Sequence, residues 1–565
     1  MIAFPLWLVP AVPLAVLVLF PVPALRLARG ALVPLAALPA LFAALADPVP
    51  ASLRLDWLLL GTEFALTETG RSFLAFAALL WALAGWQAVR LLSGDPRRDR
   101  FLVFFLLAMA GNLGLLIAQD IASFYAFFAL MSLSSWGLVL HGQGAAQVFA
   151  GRVYIGFAIA GEVALFAGLA FGAAATGDLA LSGMASAEVP TLATALMASG
   201  LLVKLGAVPL HLWLPLAHAA APAPASAVLS GAMLKAGLFG LMIILPLGGA
   251  PQLAAATALA AMALSGLVIA PALGLVQGDP KAVLAYSSVG QMSLMALGLA
   301  GGLAAPEAWP VIAPALVLLA AHHAFSKAAL FLGVPAVWAT TTGPLRYGMM
   351  AVLALPALAL AGLPATSGWM AKDALKSALG GVPAGWQIWL GAALFVASLG
   401  TALLMLRALV LLARAERKPD VPTDVTVPAL AAAGLVVAGL WIVPITPHQP
   451  KPADLAALAP LLLAASLALA GLMLARFGRL RLAAMPPGEL FALIRVEAAP
   501  EPVLALPGPV RPSRALAPRR QRDRLPRPEQ GALALLGIAA VLAIVFAVTP
   551  PSEAKFAPPV PVETG

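Results

Sequence analysis

Residues 226–247 read SAVLSGAMLKAGLFGLMIILPL, an apolar stretch whose one charged residue, Lys235, lies near its middle. About 20 apolar residues are enough for a helix to cross the hydrocarbon core of a bilayer. A charge at that depth costs roughly 2.5–3.5 kcal/mol on insertion scales, and such residues usually serve a function. Because burial favours the neutral form of a lysine, Lys235 could take up and release protons. The alternative is a lysine paired only to stabilise the helix bundle.

The whole chain shares this apolar character. Its 565 residues are 62% hydrophobic and 10% charged, with a mean hydropathy of +0.98, whereas about a quarter of a soluble domain is charged. A cleaved signal peptide with a soluble body is therefore excluded. The absence of cysteine excludes disulfides, thiolate-held iron–sulfur clusters and cysteine-based zinc sites. We expect no cofactor and no metal, so any redox chemistry must belong to another chain.

The apolar runs predict an all-α polytopic membrane protein with about sixteen transmembrane helices. Their ranges are 4–24, 28–46, 71–92, 101–119, 121–140, 152–176, 190–209, 223–247, 252–277, 282–303, 309–338, 346–380, 387–413, 425–445, 455–477 and 530–549. If the spans alternate, most short loops rich in Lys and Arg share one side, which is then the cytoplasm. We therefore expect a multi-pass protein of the bacterial inner membrane with both termini in the periplasm. The net charge of +9 reflects these loops and anionic lipid, and predicts no nucleic-acid binding.

Composition divides the chain into five segments. They are N-terminal helices (1–100), a conducting core (101–415), C-terminal helices (416–477), a Pro/Arg-rich linker (478–529), and a last span with its tail (530–565). The linker's prolines forbid a long helix. It is either a cytoplasmic strap that binds anionic lipid or a partner subunit, or a disordered topology signal.

Further ionisable residues interrupt neighbouring apolar runs. Lys204 lies close to Pro209, followed by His211 and His218 among prolines. Irregular backbone at membrane depth usually lines a buried or watery cavity, so the two histidines are candidates for a proton entrance. The alternatives are a lysine that snorkels to the interface and histidines that lie at the surface.

Two more stretches carry candidate proton carriers. His323 and Lys327 are four residues apart and share one helix face, where a proton can pass between them directly or through water. Lys372 and Asp373 follow a stretch interrupted by glycine and proline, a pattern typical of a broken helix at an ion site or exit. The sequence has no nucleophile triad or phosphate loop, so we predict no catalytic residue.

Four stretches together resemble a known family. They are KLGAVPLHLWLPLAHAAAPAPASAVLSGAMLKAGLFGL (204–241), DPKAVLAYSSVGQMS (279–293), HHAFSKAALFLG (322–333) and GLPATSGWMAKD (362–373). In order and spacing they are similar to the proton-conducting antiporter-like subunits. That family includes membrane-arm subunits of complex I, the antiporter-like subunit of hydrogenase-4 and formate hydrogenlyase, and large subunits of multisubunit sodium/proton antiporters. The first stretch looks closest to the hydrogenase-4 and formate hydrogenlyase branch.

The resemblance implies at least fourteen helices, with two inverted five-helix repeats that each contain a broken helix. It also implies a hydrated chain of buried basic groups. Lys204 would serve the first half-channel, Lys235 the connection, His323 and Lys327 the centre, and Lys372 the second half-channel.

Two positions depart from the family pattern. Within FYAFFALMSLSSWGLVL (124–140), Ala129 stands where the family has a glutamate that partners the first lysine. Leu319 stands where the family has a second histidine, one turn before His323. Glu162 is the one charge between Val153 and Thr176, so we predict that it replaces the missing acid beside Lys204. The alternative is a protonated glutamate bonded to a backbone carbonyl.

We therefore expect a proton-translocating subunit of a multisubunit energy-converting complex. Its partners would be other membrane and peripheral subunits, and we expect coupling to a redox module of the hydrogenase, formate dehydrogenase or quinone-reducing type. An alternative is the ion-conducting subunit of a sodium/proton antiporter or of an inorganic-carbon uptake complex, with sodium beside protons as the ion. A third is a scaffold that has lost transport.

Overall fold

The computed structural model describes residues 4–22, 26–47, 49–186, 188–340, 343–439, 455–476 and 485, all within the compact unit Met1–Ala498. Nearly all of the predicted Pro/Arg-rich linker, the predicted span 530–549 and part of the predicted span 425–445 lie outside these residues.

The described chain is mostly helical. Its helices are α1 (Leu8–Val18), α2 (Arg26–Leu35), α3 (Leu38–Leu45), α4 (Glu68–Leu91), α5 (Arg98–Leu115), α6 (Ile121–Val139), α7 (Ala145–Thr176), α8 (Thr191–Leu205), α9 (Trp213–Ala220), α10 (Ala223–Val228), α11 (Leu234–Ile244), α12 (Leu253–Leu275), α13 (Pro280–Ala304), α14 (Trp309–Ala339), α15 (Pro344–Ala361), α16 (Ser367–Ala378), α17 (Ala384–Ala413), α18 (Thr426–Gly434) and α19 (Ala459–Arg476). One π-helical turn, Leu229–Met233, joins α10 to α11.

Ten helical segments of the described chain are long and apolar enough to cross a membrane, and four shorter apolar helices accompany them. The prediction of a polytopic, helical membrane protein is therefore confirmed. The count of sixteen spans and the inverted repeats are not confirmed and stay predictions.

Side-chain caps explain where several spans begin. The hydroxyl of Thr67 accepts the backbone N–H of Gly70, and the carboxylate of Asp120 accepts that of Ser123. Asp279 accepts two backbone N–H groups at the start of α13. Such caps satisfy amides that have no partner within the helix, which matters where little water reaches the backbone.

The structure corrects the predicted helices at the breaks. The predicted span 346–380 is two helices, because Gly362 adopts a left-handed conformation (φ +91°) that ends α15. The predicted span 190–209 ends at Leu205, because Gly206 (φ +75°) closes α8 in the same way. In the predicted span 28–46, α2 and α3 are separated by residues 36 and 37 alone, and residues 28–45 together form one of the ten apolar segments.

Two elements were not predicted at all. Helix α9 lies in the proline-rich stretch that the sequence prediction left unassigned. A short antiparallel hairpin, β1 (Leu53–Leu55) with β2 (Thr62–Phe64), joins α3 to α4. A second contact extends the hairpin, since Phe64 bridges to Ala118 at the end of α5.

Basic side chains hold helix ends together. Arg29 pairs with Asp99 at the start of α5, and Arg100 donates to the carbonyl of His141 just after α6. Arg346, at the start of α15, donates to carbonyls that follow the end of α17. These contacts join helix ends that the alternating topology assigns to one side of the membrane.

Candidate proton relay

Two glycines bring α7 and α8 into close contact. A Cβ added at Gly200 would lie 2.3 Å from the carbonyl oxygen of Gly161, so only glycine allows this approach. Glu162 follows Gly161 directly, and Lys204 lies one turn after Gly200. The glycine contact therefore brings the predicted acid and the first lysine to one small cavity between the helices, which both residues line.

Lys204 is buried and held by polar groups. Its Nζ donates to the hydroxyl of Ser132 (3.2 Å) and to that of Tyr154 (3.4 Å). Tyr154 in turn donates to the backbone carbonyl of Ser132 (2.9 Å). Since the side chain is only 4% exposed, it does not snorkel to the interface.

Glu162 lies beside Lys204 without a direct ion pair, since among the described residues no lysine nitrogen lies within 4.0 Å of its carboxylate. Ser132 lies beside both, since its hydroxyl accepts from Lys204 and the three residues line the same cavity. Glu162 Oε1 is buried with no hydrogen-bond partner in the described structure. The cavity measures about 10 Å³, which is about the space of one water molecule.

The central lysine contacts the central histidine. Lys235 Nζ and His323 Nδ1 share a hydrogen bond whose donor depends on which group carries the proton. Lys235 also donates to the backbone carbonyl of Ser230 (2.6 Å), five residues earlier in the π-helical turn. Turns of this kind widen the helix locally and often occur at functional sites. Here the turn supplies a carbonyl to a buried ammonium group.

Two serine hydroxyls lie beside the backbone carbonyls that Lys235 and Lys327 contact. The hydroxyl of Ser230 lies 2.8 Å from that of Ser288. Ser288 donates to the carbonyl of Leu284 (3.1 Å), and Lys327 Nζ donates to the same carbonyl (2.7 Å). Because Ser288 has only one hydroxyl proton, Ser230 is the donor between the two serines. The hydrogen bonds do not run unbroken from Lys235 to Lys327, because Lys235 contacts the carbonyl of Ser230 rather than its hydroxyl, and Ser288 and Lys327 both donate to the carbonyl of Leu284.

Both candidate entrance histidines are buried. His218 stacks on Phe331 with ring centroids 4.6 Å apart, and it lies within electrostatic range of Lys327 and Lys235. His211 lies edge to face with Tyr286 at 6.3 Å. In the described structure, none of their ring nitrogens has a hydrogen-bond partner. Buried polar atoms without protein partners typically bond to ordered water.

Lys281 is a further buried group, which the sequence analysis did not single out as a site residue. Its Nζ donates to the carbonyls of Ala219 (2.9 Å) and Ala221 (2.7 Å), at the end of α9. It therefore closes a helix terminus beside His218. Its position directly before the predicted span 282–303 gave no signal of this burial.

Lys372 lies at the second helix break. Its Nζ donates to the carbonyl of Ala361 (3.2 Å), the last residue of α15, and to the hydroxyl of Ser398 (3.3 Å). The break thus supplies a carbonyl that an unbroken helix would use internally. Asp373 follows on the next position of α16 and is half-buried; its part in the relay stays a prediction.

His322 is the residue that the sequence analysis missed. It is buried in the middle of α14, and its Nδ1 lies 2.9 Å from the hydroxyl of Ser367, the first residue of α16. Ser367 donates its only hydroxyl proton to the carbonyl of Val436 (3.0 Å). The ring must therefore carry its proton on Nδ1 and donate it to Ser367. Nε2 then holds a free lone pair and has no partner among the described residues.

The two adjacent histidines therefore serve different neighbours. His323 contacts Lys235 in the centre, whereas His322 contacts the helix that carries Lys372. His322 also lies within electrostatic range of Lys372 and of Lys235. Residues next to each other on a helix point about 100° apart. One turn of α14 can therefore contact Lys235 through His323 and helix α16 through His322.

In the part of the chain that the structure describes, no group of three or more His, Cys, Asp or Glu side chains could hold a metal ion. The site consists instead of amines, imidazoles, hydroxyls and one carboxylate. All of these groups can accept or donate protons.

Apolar spans, two helix breaks and a row of buried lysines define an antiporter-like membrane subunit. The comparison with known families agrees, since the family described as NADH:quinone oxidoreductase/Mrp antiporter, transmembrane region, matches residues 118–400. The chain belongs to this family.

Individual relatives come from different complexes. The NADH-quinone oxidoreductase subunit N of Desulforudis audaxviator (strain MP104C) is 28% identical over 67% of this chain and 82% of the relative. Hydrogenase-4 component B of Escherichia coli (strain K12) is 30% identical over 41% of this chain and 37% of the relative. A chain of the archaeal membrane-bound sulfane sulfur reductase has the same fold, with a TM-score of 0.64 and 23% identity over 78% of this chain and 95% of that one.

Proposed function

We propose that this subunit carries protons along a buried relay of Lys204, Lys235, His323, Lys327, His322 and Lys372. The observation that carries the proposal is the hydrogen bond between Lys235 and His323, because it joins two proton-binding groups with the proton as the shared atom. Amines and imidazoles bind protons and repel metal cations when charged, which favours protons over sodium as the ion.

In the first half, Glu162 is proposed to act as the acid that tunes Lys204. A carboxylate near a lysine favours the protonated amine, and its neutralisation or withdrawal favours release of the proton. The cavity that both residues line together with Ser132 supports this pairing. Ala129 lies one turn before Ser132 on α6, so Glu162 would do from α7 what the family's glutamate does from α6.

In the centre, protons would pass between Lys235 and Lys327 through water at the unpartnered nitrogens of His218 and His323, beside the hydroxyls of Ser230 and Ser288. His211 and His218 stay candidates for the connection to the entrance. In the second half, His322 would link the central pair to Lys372 through water at its free Nε2.

The surrounding assembly is also proposed. The relatives named as oxidoreductase and hydrogenase components favour a redox module as the partner, with electron transfer driving the lysines between charged and neutral forms. The family description also covers Mrp antiporters, so cation exchange is the second candidate. We further propose that the subunit lies in the bacterial inner membrane with both termini in the periplasm. Its chain is proposed to contain two inverted repeats and to divide into the five segments given above. Anionic lipid is proposed to bind the Pro/Arg-rich linker.

The test uses the intact complex, purified in mild detergent by a tag on this subunit. Mass spectrometry of the co-purifying chains separates the assemblies: iron–sulfur or nickel subunits support the redox module, and small antiporter subunits support cation exchange. Proton uptake is then measured in inverted vesicles that are driven by the identified partner's electron donor or by a sodium gradient.

Lys235→Ala should abolish or strongly reduce this uptake while the complex stays assembled. Lys376→Ala is the matched control, because Lys376 is exposed on α16, and should leave uptake unchanged. Normal uptake with Lys235→Ala would overturn the relay. Loss of assembly with Lys235→Ala, together with normal uptake in Lys235→Arg and Lys327→Ala, would make these lysines structural.

A further inference from the structure

A second cavity opens at one end of α5, α6 and α7, apart from the relay. It measures about 630 Å³, within the range of sites that hold small molecules. Arg100, Gln143 and Arg152 supply its polar lining, and Trp136 stands at its edge with the indole 38% exposed. Phe104, Leu140 and Val148 form apolar walls.

The two arginines of this cavity have no acidic partner. Among the described residues, no carboxylate lies within 4.0 Å of either guanidinium group. The acids of the nearby loop are already engaged, since Asp95 contacts His141 and Arg97, and Asp99 pairs with Arg29. Arg100 uses one of its five N–H donors on the carbonyl of His141 (3.1 Å), which orients the group. The cavity therefore presents uncompensated positive charge.

An apolar surface continues from the cavity along the helices. On α7, Ile159, Val163 and Phe166 are 49%, 44% and 45% exposed and lie on the same face as Arg152. On α6, Leu133 is exposed on the same face as Trp136 and Leu140. A soluble anion would make no contact with this apolar surface, whereas the acyl chains of a lipid would cover it.

From these observations we propose that the cavity binds the headgroup of an anionic phospholipid. The phosphodiester would lie between Arg100 and Arg152. A guanidinium group can donate two parallel hydrogen bonds to two oxygens of one phosphate. The acyl chains would run along α6 and α7 from the apolar walls. Trp136 stands where tryptophans commonly meet lipid headgroups. Basic pockets between transmembrane helices are known binding sites for such lipids.

The cavity's two arginines lie next to the exposed apolar faces of α6 and α7, and this arrangement distinguishes between the possible ligands. A partner's acidic side chain would satisfy the arginines but would leave the exposed faces of α6 and α7 to lipid. A zwitterionic lipid would cover those faces but would bring a cationic group beside the arginines. An anionic phospholipid satisfies both parts at once. This site does not depend on the proton relay, so its test stands apart from that of the proposed function.

The test is native mass spectrometry of the purified, delipidated complex with added phosphatidylglycerol. We expect the double variant Arg100→Gln with Arg152→Gln to bind this lipid about tenfold more weakly than the unmodified complex, because it loses two phosphate contacts. Arg414→Gln with Arg417→Gln is the control, since it removes the same two charges from exposed positions after α17 and outside the cavity, and it should bind as the unmodified complex does. Equal binding by the double variant of Arg100 and Arg152 would overturn the proposal.

Two further arms identify the ligand. Phosphatidylcholine should bind the unmodified complex about tenfold more weakly than phosphatidylglycerol, and inorganic phosphate should not displace the bound lipid. Displacement by phosphate would make the cavity a site for soluble anions. If the double variant fails to assemble, a photoactivatable phosphatidylglycerol on the unmodified complex replaces it. Cross-links on residues 133–152 support the site, and cross-links confined to other helices contradict it.

Discussion

The ring of His322 donates a hydrogen bond to the hydroxyl of Ser367, from the middle of α14 to the first residue of α16. Because Ser367 donates its own proton to Val436, the ring is fixed with its proton on Nδ1. The free lone pair of Nε2 is then available to take a proton that arrives from the centre.

The first prediction concerns this histidine. His322→Gln should reduce proton uptake by about a hundredfold, the usual contribution of a positioned proton carrier, while the complex stays assembled. Gln keeps a donor for Ser367 but cannot bind a proton. Uptake is measured in inverted vesicles beside Ser326→Ala on the same helix, which should retain activity. Full activity of His322→Gln would remove His322 from the relay.

Ser367 gives a second prediction that does not depend on transport. In protein labelled with ¹⁵N-histidine, solid-state NMR should show one neutral ring protonated on Nδ1, and Ser367→Ala should shift that signal by removing its acceptor. His322→Gln should delete the same signal and so assigns it. A His322 ring protonated on Nε2 in the unmodified protein would contradict the hydrogen-bond assignment.

The third prediction tests the pairing of Glu162 with Lys204. Glu162→Gln should lose most proton uptake, because the neutral amide cannot favour the charged form of Lys204. The double variant Glu162→Gln with Ala129→Glu should recover part of it, since the new acid lies one turn from Ser132 on α6. A fully active Glu162→Gln, or no recovery in an assembled double variant, would contradict the pairing.

The fourth prediction concerns the glycine contact between α7 and α8. Gly200→Ala should destabilise the subunit by about 1–3 kcal/mol, the usual cost of overpacking, because the added Cβ would lie 2.3 Å from the carbonyl of Gly161. Gly156→Ala is the control, since no atom lies within 4 Å of its added Cβ. The measurement is the thermal unfolding temperature in detergent. Equal unfolding temperatures for Gly200→Ala and Gly156→Ala would contradict the prediction, because α7 and α8 could then move apart without loss of stability.

The fifth prediction tests the topology. A reporter fused after Arg417, or within residues 511–527, should be cytoplasmic, and one fused after Thr549 should be periplasmic. Short loops rich in arginine stay on the cytoplasmic side during insertion. The same location for both fusions would contradict the sixteen-span arrangement.

The sequence predicted residues whose signal is local. Lys235, Lys204 and Glu162 stand alone in apolar runs, and an isolated charge is visible without a fold. The break before Lys372 was also visible, since glycine and proline interrupt the run. The predicted span still ran through the break, because hydropathy alone does not register a left-handed glycine.

The sequence could not predict contacts between distant helices. The bond from Ser230 to Ser288 joins residues 58 positions apart, and that from His322 to Ser367 joins residues 45 positions apart. Adjacent histidines on a helix point in different directions, but the neighbour of each depends on helix packing. Helix α9 was missed because it is too short to span and contains Pro215, which a first helical turn tolerates.

The proposed relay contains more basic than acidic side chains, and this imbalance affects how many protons it can hold. Among the described residues of the proposed relay, Lys204, Lys235 and Lys327 are buried and are accompanied by Lys372, whereas Glu162 is the one buried carboxylate beside them. Like charges in a poorly polarisable interior repel strongly. Protonation of one lysine therefore opposes protonation of the next. If these groups form the proposed relay, its occupancy would be anticooperative: the subunit would hold few protons at once, and each arrival would favour a departure further along. Such a row can transmit a charge over its whole length although no single proton travels that distance.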